Sequence, residues 1–285
     1  MAERAIIGLT DWLKTPAGAY VLQWEQAHLD TAVADLFGFH ALQLGLPELQ
    51  ALRANRMPHR WVATEHAGVV STRAPGAASA SESLQGESSQ SPRVAVALRC
   101  DLDALPFDSN SLDLVVLPHA LELARDPHLA LREVERVLVP EGRVVIVGFN
   151  PTSLWGLRQH LGRWRRRLVP GSPVGLFLPN PGEFLRYRRL RDWLRLLSFE
   201  VEDGRFGCYR PPVASLQWLG RFAWMERVGE RWWPVFGAVY FVVAVKRVRG
   251  LRLVGMARAQ RLAPKAAPAP VVATHHNPVM NEPTT

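Results

Sequence analysis

The chain has 285 residues, of which 48% are hydrophobic and 21% charged, and its formal net charge is +8. This composition is typical of a globular protein that buries a core, and no apolar run approaches the ~18 residues of a membrane-spanning helix. Cys100 and Cys208 are the only cysteines, which excludes a disulfide scaffold and a cysteine-rich zinc site. The N-terminus lacks the long apolar core of a signal peptide, so we expect a cytoplasmic protein.

Residues 1–38 are predicted to form an N-terminal helical lead-in. Thr15 and Pro16 are typical of a helix start, and apolar residues recur at helical spacing from Tyr20 to Leu36. A first strand is predicted at residues 39–45, a helix at 47–56 and a second strand at 59–66. This alternation indicates an α/β protein.

Two segments have the composition of disordered chain. Residues 69–93 are rich in Ser, Ala, Gly, Gln and Pro and contain no aromatic residue, which predicts a flexible insertion. Residues 264–285 are rich in Pro, Ala and Asn, which predicts a disordered tail.

The central stretch, residues 94–150, has the pattern of a βαβ unit. Apolar β-branched runs flank an amphipathic helix at residues 126–138, and an acidic loop, DLDALPF at residues 101–107, follows the first run. We call these seven residues the Leu-Pro-Phe loop. A βαβ unit predicts a parallel sheet, and such sheets bind ligands at the carboxyl ends of their strands.

The region 151–233 is basic, rich in tryptophan and predicted to be mostly helical. Ten arginines lie between positions 155 and 195, against only two acids. The region either meets an anionic membrane or an acidic partner, through Arg163, Arg165, Arg166 and Arg167, or is a solvated helix face. Its tryptophans cover an apolar acceptor, form an interface or pack in the core. Nucleic acid is not an expected partner, because no RNA-binding signature is present. A last apolar strand is predicted at 235–248.

Four segments of the central stretch together resemble the class I S-adenosylmethionine-dependent methyltransferases. They are the Leu-Pro-Phe loop and residues 109–116, 119–122 and 126–146, and they are most similar to the methyltransferase type 11 branch that contains the ubiquinone/menaquinone C-methyltransferases. The resemblance implies a Rossmann-like, mostly parallel sheet of seven strands with helices on both faces and an antiparallel last strand. It places this domain at 39–248, with 151–233 shaping the acceptor side, and implies S-adenosyl-L-methionine as the cofactor.

The resemblance also implies cofactor-binding residues. Asp101 would accept a hydrogen bond from the adenine amine, and Leu102 would offer a backbone N–H and an apolar face; a turn or cap role is the alternative for Asp101. Glu65 would hold the ribose hydroxyls, unless it is an exposed loop residue. Gly45 is the only glycine left of the family's Gly-x-Gly-x-Gly turn. The chain departs from the family at Gln43, where an acid is usual, and at the two residues after Gly45, Leu46 and Pro47.

His119 follows the fourth strand and is either a general base or a packing residue beneath the cofactor. Tyr209, Arg210 and Asn150 are candidates for lining an acceptor pocket, although Asn150 also suits the turn before the next helix. Structural roles are expected for Asp113, which would fasten the turn before the fourth strand, and for Glu133 and Arg136.

Two functions of different classes follow. The first is a methyltransferase that transfers a methyl group to a small or lipophilic acceptor. The second is a binding or regulatory protein that kept the fold and lost normal cofactor binding. A third, weaker hypothesis is a module that associates with membranes or nucleic acid through the arginine-rich helix. The acceptor and the oligomeric state stay open.

Overall fold

A computed structural model describes residues 3–64, 98–168, 177–179 and 184–247, which fall in one compact unit, Met1–Val248. A seven-stranded sheet has the order β3-β2-β1-β4-β5-β7-β6. All neighbouring strands are parallel except β7, which is antiparallel to both β5 and β6. This confirms the predicted fold class. The strands are β1 His40–Leu44, β2 His59–Thr64, β3 Leu98–Arg99, β4 Leu112–Pro118, β5 Leu138–Phe149, β6 Phe199–Gly207 and β7 Val239–Lys246.

Eight α-helices lie in the described part of the chain, and a 3₁₀ turn, Pro234–Phe236, precedes β7. The α-helices are α1 Glu3–Leu13, α2 Pro16–Ala34, α3 Ala120–Leu123, α4 Pro127–Val137, α5 Leu154–Leu168, α6 Tyr187–Leu196, α7 Leu216–Arg221 and α8 Trp224–Trp232. The C-terminal part of the basic, tryptophan-rich region forms two short helices, α7 and α8.

Helices cover both faces of the sheet, so the central strands are buried on both sides. Along β4, Leu114 and Val116 pack on one face with α1, α2 and α5. Val115 and Leu117 pack on the other face with α3, α4 and α6. Continuous apolar strands such as β4 arise because alternate side chains each meet a helical layer.

Helix α2 begins as predicted, but its buried face differs from the predicted stripe. The Thr15 hydroxyl accepts a hydrogen bond from the Gly18 N–H at 3.2 Å, which caps the first turn. The fully buried positions recur every four residues along the helix and include an acid. Apart from Gly18, which is also buried, they are Ala17, Val21, Glu25, Leu29 and Val33.

The predicted helix at 47–56 is wrong, because this segment forms consecutive turns. The side chain of Gln43 binds two of its backbone groups, accepting from the Ala51 N–H at 3.0 Å and donating to the Leu49 carbonyl at 2.7 Å. These groups are then unavailable to an i to i−4 helical ladder.

The predictions for residues 69–93 and 264–285 lie outside the described residues. Among the described residues, no helix is long and apolar enough to cross a membrane.

Candidate functional site

The carboxyl ends of β1 to β4 meet at one edge of the sheet. Leu44 pairs with Ala63, Thr64 with Arg99, and Gln43 with Val116, so these strands end in register. Gly45, Asp101 and His119 each follow one of these strands. The sheet therefore brings three of the predicted site residues to the same edge, whereas Glu65, which follows β2, lies outside the described residues.

The loop after β1, residues 45–51, is organised by Gln43, at the position where an acid was expected. The Gln43 amide is buried, and its Nε2 donates to the carbonyls of Leu46 at 2.9 Å, Leu49 at 2.7 Å and Gly45 at 3.3 Å. A carboxylate could not make these contacts, because a carbonyl needs a donor. The amide thus substitutes for the acid with a different set of partners.

Gly45 and Leu46 both have positive φ, of 82° and 33°. Gly45 donates its N–H to the Ala63 carbonyl at 2.8 Å, which ties the loop to β2. A Cβ at Gly45 would lie 3.5 Å from the Ala120 Cβ, so the loop touches the start of α3. The Leu46 side chain is buried in the core beneath α2. It therefore does not project from the loop into solvent.

The Leu-Pro-Phe loop is held against α4 by Glu133 and Arg136. Arg136 donates to the carbonyls of Leu105 at 3.0 Å and Phe107 at 2.9 Å, and Glu133 accepts from the Leu105 N–H at 3.3 Å. The hydrogen bond from Arg136 lowers the pKa of the Glu133 carboxyl. Both residues therefore have the structural role that was predicted for them.

Within this loop, Asp101 is exposed and Leu102 is buried. The Asp101 carboxylate is thus accessible to a ligand, whereas the Leu102 side chain packs into the core and offers little of its surface to one. Burial and the nearby carboxylates of Asp126 and Asp101 raise the pKa of Asp103.

His119 lies in a sealed cluster with two glutamates, which we call the buried histidine cluster (Glu25, His119 and Glu122). The His119 Nε2 is 2.8 Å from a Glu25 carboxylate oxygen, and its Nδ1 is 3.0 Å from a Glu122 oxygen. The three side chains are almost inaccessible to solvent. The imidazole ring also packs on Phe149, with 4.3 Å between ring centroids.

The cluster holds His119 in its protonated form. Burial opposes a charge on the ring, but the carboxylates of Glu25 and Glu122 outweigh this effect and raise the pKa of His119 to about 10. Burial also raises the pKa of Glu122, although its other oxygen accepts from the Phe149 N–H. A protonated ring that donates from both nitrogens has no lone pair for a substrate proton. The role of His119 as a base stays a prediction that this geometry does not support.

The two acids of this cluster were not predicted from the sequence. In the sequence, Glu122 was noted only as part of the segment 119–122, and Glu25 was one polar residue of an amphipathic helix. One signal was present: Glu25 lies four residues after Val21 and four before Leu29, in the middle of an apolar helical stripe. A charge at such a position indicates a buried partner.

The remaining candidates lie where β5 and β6 end. Asn150 makes the turn into α5, because its Oδ1 accepts from the Thr152 N–H at 3.1 Å and its Nδ2 donates to the carbonyls of Val235 and Gly237. Its side chain is therefore fully used within the fold.

Asp113 is also structural, but it fastens the chain before β1 rather than the turn before β4, since it accepts from the N–H groups of Phe39 and His40.

Tyr209 and Arg210 lie against α2 and α8. Glu226 of α8 accepts from the N–H groups of Cys208 at 3.0 Å and Tyr209 at 3.3 Å and also binds the Tyr20 hydroxyl. The Arg210 guanidinium stacks on the Tyr20 ring at 4.4 Å. Burial raises the pKa of Tyr20. Glu226 was not singled out in the sequence, because an acid in a short surface helix carries no distinguishing pattern.

Residues 64–146 match the family model described as "Methyltransferase domain". Over 106 residues the chain is 42% identical to the uncharacterized protein YafS of Escherichia coli (strain K12), covering 37% of this chain and 40% of that protein. Over 89 residues it is 30% identical to the ubiquinone/menaquinone biosynthesis C-methyltransferase UbiE of Cellvibrio japonicus (strain Ueda107), covering 31% and 35%. The chain thus spans less than half the length of each of these two relatives.

A solved structure shares the fold. It is a chain from the complex between the Haloferax volcanii Trm112 methyltransferase activator and the putative methyltransferase, with a TM-score of 0.53 and 18% identity. The match covers 86% of this chain and 99% of that chain. At this identity the likeness shows the fold alone.

Fold and sequence together define the class: this is a protein with the class I S-adenosylmethionine-dependent methyltransferase fold. More narrowly, residues 64–146 match the methyltransferase type 11 domain, and the ubiquinone/menaquinone C-methyltransferases are distantly similar over part of the chain. A methyltransferase domain of this type implies S-adenosyl-L-methionine as the cofactor.

Proposed function

We propose that the protein transfers a methyl group from S-adenosylmethionine to a small or lipophilic acceptor. The observation that carries this proposal is the Leu-Pro-Phe loop. Arg136 and Glu133 hold it at the ligand edge of the sheet and leave the Asp101 carboxylate exposed. A fixed, exposed acceptor beside a parallel sheet's carboxyl edge is what recognition of an exocyclic amine requires.

The described residues fit the cofactor at two places. Asp101 would accept from the adenine amine, with the Leu102 backbone N–H beside it. The β1 loop would adjoin the methionine part, because Gly45 carries no side chain and the Leu46 side chain is buried. Glu65 remains our proposal for the ribose hydroxyls.

The cofactor supplies the electrophilic methyl carbon, so the protein has to orient the acceptor and exclude water. His119 is not part of the proposed chemistry, because both of its ring nitrogens contact carboxylates. Its cluster instead joins α2 to the end of β4 and so stiffens the edge. If the acceptor must lose a proton, another group has to accept it.

A second candidate function is a binding or regulatory protein that retains the fold without normal cofactor affinity. Gln43 and Pro47 favour it. Gln43 donates to three of the loop's carbonyls and accepts from one of its N–H groups, that of Ala51, whereas an acid could only accept. Pro47 lacks the N–H that another residue would offer there.

Calorimetric titration with S-adenosylmethionine and S-adenosylhomocysteine separates the two candidates. We expect wild-type protein to bind both, and Asp101→Ala to bind about tenfold or more weakly, since a hydrogen bond to a charged group contributes ~1.5–3 kcal/mol. Asp108→Ala is the matched control, because Asp108 is exposed in the chain segment directly after the same loop. If neither ligand gives binding heat or raises the melting temperature at high concentration, the methyltransferase proposal is refuted and the second candidate function is favoured.

A basic surface lies at the same edge of the sheet. The basic helix that the sequence singled out as a contact for an anionic membrane or acidic partner is α5, which starts at the end of β5. Arg163 and Arg165 lie on it; the side chains of Arg166 and Arg167 lie outside the described part.

A further inference from the structure

The outward face of α5 is apolar. Five side chains of this face are 48%, 63%, 54%, 58% and 60% exposed, and we call them the leucine stripe: Leu154, Leu157, Leu161, Trp164 and Leu168. At about 100° per residue they fall within an arc of about 80°. A surface helix normally presents polar residues on its outer face, so the stripe needs a separate explanation.

The orientation of α5 is set by contacts on its inner face. Trp155 is buried and donates its Nε1–H to the Arg210 carbonyl at 2.6 Å. Gln159 is buried and forms two hydrogen bonds with the backbone of Leu178, at 3.0 and 3.3 Å. The helix cannot rotate to bury the stripe without breaking these bonds, so the stripe stays accessible to a partner.

Basic residues accompany the stripe. The helix contains no acidic residue, and Arg158 and Arg165 are exposed beside the stripe. Arg163 is half-buried over the Phe184 ring. A helix with an apolar stripe of Leu and Trp and with arginines at its flanks is complementary to an anionic interface that also has an apolar layer.

The exposed apolar surface continues beside the start of α5. Asn150 donates to the carbonyls of Val235 and Gly237, at 2.7 and 2.9 Å, and so fastens this segment next to the helix. The chain there exposes four more large apolar side chains, by 71%, 54%, 53% and 54%: Trp232, Trp233, Val235 and Phe236. This segment precedes antiparallel β7 and therefore lies at the same sheet edge as Gly45 and Asp101.

We propose that the leucine stripe of α5, with its flanking arginines, docks this protein on the surface of an anionic lipid bilayer. The stripe would enter the headgroup region while the arginines pair with lipid phosphates. Nucleic acid would use the arginines but leave the leucines and Trp164 in water, so the bilayer fits more of the surface. The inference rests on the proposed function only in explaining why this surface adjoins the ligand edge; docking itself requires no cofactor.

Flotation of the full chain with vesicles tests the proposal. One set of vesicles is phosphatidylcholine, and the other is an equal mixture of phosphatidylcholine and phosphatidylglycerol. We expect wild-type protein to float with the mixed vesicles, and added salt to weaken binding. Leu157→Ser with Leu161→Ser should lower the partition coefficient about tenfold or more, because the two leucines supply much of the apolar area that the bilayer removes from water.

The matched control is Phe37→Ser with Leu196→Ser. These two side chains are 79% and 77% exposed and lie before β1 and before β6, at the opposite edge of the sheet. The control should bind as wild type does. The proposal is overturned if wild-type protein stays unbound with mixed vesicles, or if the stripe variant and the control bind equally. A dimer seen by light scattering that depends on the stripe, without vesicle binding, would assign the surface to a second copy of the chain.

Titration of the stripe variant with S-adenosylmethionine keeps the two proposals separate. Because the stripe lies outside the residues proposed to hold the cofactor, this variant should bind the cofactor as wild type does. Failure of cofactor binding in wild-type protein would refute the proposed function and leave the vesicle result intact.

Discussion

Replacing His119 by Gln removes the one positive charge from the buried histidine cluster. Glutamine can donate to Glu25 or to Glu122 but not in the same geometry to both, so one carboxylate loses its partner. The Glu25 carboxylate already has one buried oxygen with no hydrogen-bond partner. Bulk solvent does not reach the three side chains, since all of them are almost inaccessible.

We expect His119→Gln to lower the free energy of unfolding by about 3 kcal/mol. Breaking a buried ion pair costs ~3–5 kcal/mol, and the low end applies here because one hydrogen bond survives. Adding Glu25→Gln should restore part of this loss, because it removes the charge that was left unpaired. The matched control is His160→Gln on the exposed side of α5, which should change stability by less than about 0.5 kcal/mol.

The same cluster predicts how stability depends on pH. The pKa of His119 is raised from 6.5 in the unfolded chain to about 10 in the folded protein. Its stabilising contribution is therefore complete below about pH 6.5 and is lost as the pH rises toward 10, with a slope reaching about 1.4 kcal/mol per pH unit. In His119→Gln the part of this slope that comes from the imidazolium should disappear. Glu122 should then titrate at a higher pH than in the wild type, because the imidazolium no longer lowers its pKa.

The measurement is urea unfolding followed by circular dichroism, for wild type and His119→Gln, at several values between about pH 7 and pH 9. A wild-type unfolding free energy that stays constant or rises over this range would show that His119 is not a buried imidazolium. Equal slopes for wild type and variant would contradict the assignment as well.

Three further substitutions test the local structure. Gln43→Glu should cost about 3 kcal/mol, because its carboxylate would face carbonyl oxygens in a buried site; unchanged urea unfolding would contradict this. Gly45→Ala should lower the free energy of unfolding by about 1 kcal/mol. A Cβ would have room, since the nearest atom lies 3.5 Å away, but a φ of 82° is strained for alanine. A far larger loss would mean that the loop is packed more tightly than this distance indicates. Thr15→Ala should cost about 1 kcal/mol in thermal unfolding through the lost cap, whereas Thr15→Ser should be nearly neutral.

The fold could be predicted because its elements carry local patterns. The continuous apolar run of β4 indicates a strand buried on both faces, and the amphipathic period of α4 indicates a helix that covers the sheet. Thr15 with Pro16 marked the start of α2 correctly. The Leu-Pro-Phe loop and its Asp101 could be placed at the ligand edge because parallel strands share that edge.

Three features of the site required the tertiary structure. The helix predicted at 47–56 does not form, since Gln43 binds the backbone groups that a helical ladder would use. The leucine stripe faces outward because of the contacts of Trp155 and Gln159, and the hydrophobic periodicity of the sequence does not reveal these contacts. His119 was predicted at the right edge, but the acids that engage it were not found.

The physical reason is the separation of these partners along the chain. His119 and Glu25 are 94 positions apart, and their ion pair exists only because the sheet brings α2 over the end of β4. Periodicity and turn chemistry act over a few residues and so predict the elements and the edge at which they end. Which side chains meet there, and with what charge, depends on packing between elements that are distant in sequence.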